Sequence, residues 1–349
     1  MAEEEEVDNT VTSEVHHFSK EETLKGGREG GSYRNLSEKG EVGTSSDLGC
    51  EGQQEQEDEE FECLLGANGQ VVLWSPRRET VLSRFDFAYP PDLQAQDRSP
   101  NSCPQVDSDG DLVVTRRKDL HLQEGIVLIE HQNATTLDLV GEQVWRGALF
   151  LADFILHYSD IFRGKHVLEV ASGVGLTSVV AAMLAIKITV TDVDKGEILE
   201  LIRRNLKRNE DVLKAEVCVK EIDFYNHDTI DDLQANNKDV SVILAADVVY
   251  NNPLTDAFFS TVLRLMSDPP EKTMFIALEK RYVFTMEDMD SVAPCYEYFL
   301  DGLEWLRSQR TDHIEWTVEE LPSDFEQYFT YERTRHLVLW KINAKLKQP

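Results

Sequence analysis

The chain has 349 residues, of which 65 are acidic and 35 basic, so its formal net charge is −30 at neutral pH. A surface this acidic argues against nucleic-acid binding through a basic face, because contacts to phosphates depend on lysine and arginine. The length corresponds to one large domain or two ordinary ones. An acidic surface suits a basic protein partner, although solvated acids without a partner explain most such charge.

The cysteines and the apolar pattern indicate the compartment. Five dispersed cysteines without a C-x-x-C pair or a zinc spacing predict reduced thiols in an intracellular protein. The first residues, Met-Ala-Glu-Glu-Glu-Glu-Val, are acidic where a signal peptide is basic and then apolar. The best apolar run, residues 144–156, is interrupted by Arg146 and Asp153. We expect a monomer in the nucleus or the cytosol, with no metal site and no membrane span.

Three segments divide the chain. Residues 1–60 hold 18 acids and 5 bases and few large apolar side chains. Such a segment cannot bury enough surface to offset the entropy of ordering, so we predict a disordered acidic tail. In residues 61–115 apolar patches return but prolines interrupt them, which predicts an N-terminal extension, either a small hairpin subdomain or a poorly ordered arm. Residues 116–345 carry the regular pattern of one α/β domain.

Within the last segment, β-branched runs alternate with stretches of helical period, which predicts an α/β fold. The predicted strands cover residues 125–130, 166–170, 188–191, 216–223, 240–246, 272–278, 314–321 and 335–342. The predicted helices cover residues 143–162, 176–186, 196–209, 254–266 and 296–307. We expect the two final strands to pair antiparallel, and residues 234–239 to form a polar loop.

Residues 166–194 carry the strongest motif. A short strand is followed by a turn with Gly173 and Gly175, a helix, a second strand and Asp192. Glycine lets the backbone approach a ligand closely because it has no Cβ. Asp192 lies 19 residues after Gly173, near the spacing expected for the acid that accepts the hydroxyl protons of a ribose. This order predicts half of a Rossmann site for a nucleoside-containing cofactor.

The head of the turn indicates which cofactor. A dinucleotide site has the pattern G-x-G-x-x-G, whereas this turn begins with Glu169 and continues as Val-Ala-Ser-Gly-Val-Gly. A carboxylate here is unsuited to a pyrophosphate but suits a cationic ligand, so Glu169 either orients the turn or holds an amino-acid ammonium. S-adenosylmethionine has an adenosine, a sulfonium and an amino-acid tail, and fits both ends of such a site. The alternative is an ordinary buried turn without a ligand.

The ends of the third and fourth predicted strands should meet at the same ligand. Asp223 and Phe224 can bind the amino group of an adenine and stack on its face, and an ordinary polar strand end is the equal alternative. Asp247 and Tyr250 follow the fourth strand, where a reacting group would be positioned. Trp145, at the start of a predicted helix, is either a core aromatic, which the sequence alone favours, or a cofactor contact.

Taken together, these motifs resemble the seven-β-strand lysine methyltransferases of the methyltransferase-like protein 21 group. The similar segments are Trp145-Arg-Gly-Ala, Leu-Glu-Val-Ala-Ser-Gly-Val-Gly, Thr191-Asp192, Asp223-Phe224 and Ala246-Asp-Val-Val-Tyr250. The resemblance covers about residues 110–345. All seven-strand methyltransferases share the glycine turn, whereas the D-x-x-Y after the fourth strand narrows the resemblance to this group.

The resemblance implies a Rossmann-like sheet of strand order 3-2-1-4-5-7-6 with the last strand antiparallel. It also implies that S-adenosylmethionine contacts Trp145, Ala171, Ser172, Gly173, Asp192, Phe224 and Ala246. Glu169, Gly175 and Asp223, from the motif itself, complete the predicted cofactor site. Asp247 and Tyr250 would form the D-x-x-Y of a lysine channel and are the predicted catalytic residues.

Two positions depart from the family pattern. Ala171 stands where the first glycine is usual, which a turn tolerates if the φ angle of the alanine is negative. Phe224 stands where a tryptophan is usual, which keeps a stacking face but loses the indole N–H. Neither change argues for an inactive enzyme.

The resemblance implies a protein-lysine N-methyltransferase, acting on a lysine of a nuclear nucleic-acid-binding protein, with a chaperone association and a nuclear address. One alternative is an NAD-type oxidoreductase, which the missing dinucleotide fingerprint weakens. A second is methylation of RNA or a small molecule, and for RNA the acidic charge and the absence of an N-P-P-Y type motif argue against it. The third is a binding module that keeps the fold without catalysis.

Overall fold

The computed structural model describes residues 10–13, 15, 62–65, 71–93, 123–285, 290–309 and 314–347. The strands in these ranges are β1 (Thr10–Val11), β2 (Glu62–Leu65), β3 (Val71–Ser75), β4 (Thr80–Ala88), β5 (Glu124–His131), β6 (Thr135–Thr136), β7 (His166–Glu169), β8 (Lys187–Asp192), β9 (Glu216–Glu221), β10 (Val242–Ala246), β11 (Lys272–Glu279), β12 (Val283–Thr285), β13 (Asp290–Val292), β14 (Ile314–Leu321) and β15 (Leu337–Leu346). A 3-10 helix covers Leu137–Glu142. The α-helices are α1 (Arg146–His157), α2 (Ser159–Phe162), α3 (Leu176–Ala182), α4 (Ile198–Arg208), α5 (His227–Asn236), α6 (Asn252–Met266) and α7 (Pro294–Ser308).

A seven-stranded sheet forms the centre of the fold, in the order β9-β8-β7-β10-β11-β15-β14. Strands β7 to β11 pair in parallel, whereas β15 runs antiparallel to both of its neighbours. Numbered along the chain within this sheet, the order is 3-2-1-4-5-7-6. The predicted α/β fold, the strand order and the antiparallel last strand are therefore confirmed.

Alternate residues of the sheet build a separate apolar core on each face. In β10, Val242 and Leu244 belong to one core, and Ile243 and Ala245 belong to the other, as the two-residue period of a strand requires. Helices α1, α3 and α4 cover the first core, and α5, α6 and α7 cover the second. This three-layer arrangement leaves the C-terminal ends of the parallel strands at one edge, where such sheets bind ligands.

A second, four-stranded sheet, in the order β2-β3-β4-β5, is joined to the domain by Asn205 of α4 and by Asn209, the C-cap residue of that helix. The Asn209 side chain accepts the Leu128 N–H at 2.9 Å and donates to the Leu128 carbonyl at 2.7 Å. One helical turn earlier, Asn205 makes the same pair of bonds to Glu130 at 2.7 and 2.9 Å. Asn205 also donates to the Val174 carbonyl at 2.9 Å. The two amides therefore satisfy the backbone of β5 and connect it to the glycine turn.

Glu130 strengthens the same junction. Its carboxylate is fully buried and accepts bonds from Arg204 at 3.2 Å, from Arg208 at 2.8 Å and from the Thr80 hydroxyl at 3.0 Å. Burial acts to raise the pKa of Glu130, but the two guanidinium groups outweigh it and hold the pKa below its usual range. The cluster therefore stabilises the fold at neutral pH, and its contribution is lost as the pH falls through the depressed pKa.

Part of the segment predicted as an acidic tail contacts the domain. Strand β1 pairs antiparallel with β6. The Ser13 N–H donates to Oε1 of Gln143 at 2.6 Å, and the Ser13 hydroxyl donates to the Val144 carbonyl. Residues 10–13 are therefore bound to the domain, and most of the remaining segment 1–60 lies outside the described residues.

The structure differs from the prediction in three helical or strand elements. Residues 227–236 form α5, although only two of its side chains are buried and little helical periodicity is present to reveal it. The helix predicted over residues 143–162 starts at Arg146 and is interrupted at Tyr158, whose ψ angle of 45° ends α1. Strands β12 and β13 form a hairpin that the sequence analysis does not predict.

Membrane spans, metal sites and free thiols can be assessed only for the described ranges. None of the helices there is long and apolar enough to span a membrane. In the same ranges, no group of three or more His, Cys, Asp or Glu side chains is arranged to hold a metal ion. Cys218 and Cys295 are free thiols.

Replacement of Asn205 by leucine should lower the free energy of unfolding by about 2 to 4 kcal/mol, because three buried backbone groups lose their partners. Urea unfolding followed by circular dichroism measures this change. The matched control is Arg203→Ala on the exposed side of the same helix, which should change stability by less than about 0.5 kcal/mol. Equal stability of Asn205→Leu and the wild type would contradict the role of this junction.

Candidate active site

A cleft of about 760 Å³, counted with the part open to solvent, lies at the C-terminal ends of β7, β8 and β10. Its position is the ligand edge of a parallel α/β sheet. Most of the predicted site residues line this cleft: Trp145, Ala171, Ser172, Gly173, Asp192, Ala246, Asp247 and Tyr250. The structure therefore brings the predicted cofactor turn and the predicted lysine channel together.

Asp192 holds the glycine turn in position. Its Oδ2 accepts the Gly173 N–H at 2.8 Å, and its Oδ1 accepts the Val193 N–H at 2.8 Å. Gly173 has a φ angle of +56°, and a Cβ there would lie 2.9 Å from the Gly141 carbonyl oxygen, so the position requires glycine. Burial raises the pKa of Asp192 to about 6, although the two N–H donors act against this. Each carboxylate oxygen keeps a second lone pair for a ligand hydroxyl.

The backbone at Ala171 corrects one prediction. Its φ angle is +51° and not negative, so the alanine adopts the left-handed conformation that favours glycine. This conformation costs an alanine roughly 1 kcal/mol. The next residue, Ser172, donates its N–H to the Thr191 carbonyl at 2.9 Å, which holds the turn against the end of β8.

Glu169 lies beneath the turn and does not line the cleft. Its side chain is fully buried, and the Ser178 hydroxyl donates to its Oε2. Of its two candidate roles, this geometry suits the orientation of the turn on α3. Burial raises the pKa of Glu169 to about 8, so the carboxyl is mostly protonated at neutral pH.

Three other predicted residues lie outside the cleft lining. Asp223 accepts the Tyr225 N–H at 2.9 Å. Phe224 is buried, with its ring centroid 5.7 Å from that of Phe258. The adenine contact of these two residues stays a prediction. Gly175, with a φ angle of +83°, is the N-cap residue of α3 and turns the chain into that helix.

Two backbone N–H groups from different elements hold Asp247. Its Oδ2 accepts the Gly147 N–H at 2.7 Å, and its Oδ1 accepts the Glu279 N–H at 3.0 Å. Gly147 is in the first turn of α1, where the helix dipole favours an anion. A Cβ at this position would lie 2.4 Å from Oδ2, so only glycine permits the contact. Burial raises the pKa of Asp247, and the positive charge of Arg281 acts in the opposite direction.

Tyr250 and Trp145 add aromatic surface to the cleft. Burial, and then the negative charge of Asp192, raise the pKa of Tyr250 to about 12, so its phenol stays protonated. The indole N–H of Trp145 donates to the Val140 carbonyl at 2.8 Å, which fixes the ring. Trp145 therefore lines the cleft, whereas the sequence alone favours a core position.

One wall of the cleft is absent from the elements predicted from the sequence. The 3-10 helix, residues Leu137–Glu142, contributes this wall and places the Gly141 carbonyl against Gly173. An ion pair between Lys195 Nζ and Asp138 Oδ2, 2.8 Å apart, stabilises the first turn of this helix. A short 3-10 segment lacks the repeat of a helix or strand from which it could be recognised.

The charge and the polar groups of the cleft suit a cationic ligand that carries hydroxyls. Four acids and one base line it: Asp138, Glu142, Asp192, Asp247 and Lys195. The hydroxyl of Ser172 is buried and, within the described part of the chain, has no hydrogen-bond partner. A buried polar atom of this kind usually bonds to water or to a ligand. The glycine turn, the acid at the end of β8 and this hydroxyl fit the nucleoside end of such a ligand.

Comparison with known families shows what this chain is similar to. Residues 124–292 match the sequence model of the lysine methyltransferase family. This part of the chain is therefore similar to a lysine methyltransferase domain. The match includes the glycine turn, Asp192, Asp247 and Tyr250, and it confirms the family resemblance that the motifs indicate.

Individual relatives show how far the sequence similarity extends. Methyltransferase-like protein 22 of Mus musculus is 37% identical over 232 residues, which cover 62% of this chain and 59% of that protein. The Homo sapiens protein of the same name is 36% identical over 235 residues, covering 63% and 58%. EEF1A lysine methyltransferase 3 of Mus musculus is 30% identical over 143 residues, covering 41% and 57%. The chain thus spans less than two thirds of the length of these curated relatives.

Glu169→Gln should stabilise the protein more at about pH 8.5 than at about pH 5.5. The folded-state pKa is about 8, whereas an unfolded glutamate titrates near 4.3, so the wild type loses stability as the pH rises between these values. At roughly 1.4 kcal/mol per pH unit, the two gains should differ by at most about 3 kcal/mol. Urea unfolding at both pH values measures them, with Glu221→Gln on exposed β9 as the control. Equal gains would contradict a buried, protonated Glu169.

Proposed function

We propose that this chain is an S-adenosylmethionine-dependent protein-lysine N-methyltransferase. The observation that carries the proposal is that Asp192 with Gly173, and Asp247 with Tyr250, meet in one cleft of a lysine methyltransferase domain. S-adenosylmethionine would supply a methyl group activated by a positively charged sulfonium. The acidic lining and the unpartnered Ser172 hydroxyl support this choice of methyl donor.

The cofactor end of the cleft would act by binding and orientation. The Asp192 carboxylate, fixed by two N–H groups, would accept the ribose hydroxyls with its remaining lone pairs. The turn from Ala171 to Gly173 would bring backbone close to the ligand. Negative charge along the lining would favour a ligand with a sulfonium and an ammonium over a neutral one.

The acceptor end would deliver a neutral amine. A lysine side chain has a reference pKa near 10.4 and must lose a proton before its lone pair can attack. A partly dry channel beside Trp145 would favour the neutral form. Asp247, whose two N–H contacts fix its oxygens, would orient the amine by a hydrogen bond, and the protonated Tyr250 phenol would bound the channel. The proton would pass to water, and alignment would provide most of the acceleration.

For the substrate we propose a lysine of a basic protein, in the nucleus or the cytosol. The net charge of −30 favours encounter with a positively charged partner. Nuclear proteins that bind nucleic acids carry such positive surfaces, and they are the class that the family resemblance indicates. The acceptor-side acids of the cleft would attract a lysine ammonium before it loses its proton.

Asp247→Ala should lower methyl transfer by at least about 100-fold, because the amine loses the group that aligns it. Transfer is measured with labelled S-adenosylmethionine and a basic protein fraction of a cell extract. Calorimetric titration with S-adenosylhomocysteine should still show binding, since Asp192 and the glycine turn are unchanged. The matched control is Asp160→Ala, an exposed acid of α2, which should leave transfer unchanged.

Two outcomes would contradict the proposal. Undiminished transfer by Asp247→Ala, with its fold intact by circular dichroism, would remove the role of the D-x-x-Y. Binding of S-adenosylhomocysteine without transfer to any protein by the wild type would instead identify a binding module that keeps the fold.

A further inference from the structure

Arg281 places a positive charge against Trp145, which lines the cleft. Its Cζ lies 4.4 Å from the ring centroid of Trp145, which is a cation–π distance. The Trp145 ring cannot turn freely, because its indole N–H is bonded to the Val140 carbonyl at 2.8 Å. The guanidinium is therefore stacked on a fixed wall of the candidate active site.

The same guanidinium acts on Asp247. Arg281 follows the end of β11, whose last residue, Glu279, donates its N–H to Asp247 at 3.0 Å. The positive charge of Arg281 lowers the pKa of Asp247, against the larger effect of burial. In the proposed function, the nitrogen of the acceptor lysine lies beside the Trp145 ring and bonds to the Asp247 carboxylate. Arg281 thus stacks on this ring and acts electrostatically on this carboxylate.

We infer that Arg281 is an internal stand-in for the acceptor lysine, which occupies the Trp145 ring in the resting protein and is displaced when substrate enters. The inference rests on the proposed function and adds a specificity-determining residue to it. Two cations repel and compete for one ring face, so the lysine and Arg281 exclude each other. Arginine suits this role because its guanidinium stays protonated in proteins and does not become a neutral methyl acceptor.

The chain beyond Arg281 offers a surface that an incoming protein can contact. Three consecutive apolar side chains there are 51%, 49% and 61% exposed: Tyr282, Val283 and Phe284. An exposed apolar patch beside a site is typical of a protein-binding surface. Binding of a substrate segment to this patch would draw the neighbouring Arg281 away from the Trp145 ring and admit the lysine.

Arg281→Lys tests the inference without any knowledge of the natural substrate. The Nζ atom of lysine is as many bonds from Cα as the Cζ atom of arginine, so the new amine would take the place of the stacked guanidinium carbon. With S-adenosylmethionine added, this amine should lose its proton to water and bond to the methyl carbon as the carbon–sulfur bond breaks, which leaves S-adenosylhomocysteine. Mass spectrometry should show methylation at position 281. The rate per molecule should not depend on protein concentration, because the reaction occurs within one chain.

Two controls use residues of the same chain. Lys280 has its Nζ 4.4 Å from the ring centroid of Tyr296, a different ring, and should stay unmethylated. Asp247→Ala combined with Arg281→Lys should lower methylation at position 281 by at least about tenfold. Separately, Arg281→Ala should lower the KM for a basic protein fraction several-fold, with the affinity for S-adenosylhomocysteine unchanged.

Wild-type transfer to basic proteins, measured in parallel, separates the two claims. If the wild type methylates proteins while position 281 of the variant stays unmodified, the stand-in role is wrong and the proposed function stands. Methylation at a rate that rises with protein concentration would also overturn the role, because it would show reaction between chains. If neither protein transfers a methyl group although both bind S-adenosylhomocysteine, the proposed function fails and this inference fails with it.

Discussion

The hydrogen bonds of the Asp247 carboxylate are the interaction on which the site depends. Asp247 follows β10, and its two oxygens accept N–H groups from α1 and from β11. A buried carboxylate needs such donors, since burial without them would be costly. The contact to α1 is possible only because Gly147 has no Cβ. Trp145 directly precedes the same helix, so the bond that fixes the carboxylate also fixes the position of the aromatic wall.

The cofactor end follows the same design on β8, which β7 separates from β10. Asp192, at the end of β8, holds the turn through the Gly173 N–H, and that turn requires glycine because the Gly141 carbonyl lies against it. Parallel strands bring both aspartates to one edge of the sheet. Asp192 and Asp247 favour positive charge at the cofactor end and at the acceptor end of the cleft, which suits a sulfonium and a lysine ammonium. The positive charge of Arg281 on Trp145 provides an internal partner for the acceptor end.

Local signals predict the α/β class and the strand–turn–helix–strand unit, whereas contacts between distant segments leave no local signal. The spacing from Gly173 to Asp192 predicts a strand, turn, helix and strand that neighbouring residues determine, and the structure has this unit. The Gly147 contact to Asp247 spans 100 residues and leaves no local pattern. The positive φ angle of Ala171 contradicts the preference of alanine, and only the folded context imposes it. Helix α5 and the 3-10 wall have too few apolar repeats to be recognised.

The central claim is that Asp192 and its turn receive the nucleoside end of S-adenosylmethionine in this cleft. Isothermal titration calorimetry with S-adenosylhomocysteine, on the wild type and on Asp192→Ala, tests it most directly. We predict one bound molecule per wild-type chain and at least about tenfold weaker binding to a folded Asp192→Ala variant, because the ribose hydroxyls lose a charged acceptor. No binding to the wild type, or equal affinity of the two proteins, would contradict the claim.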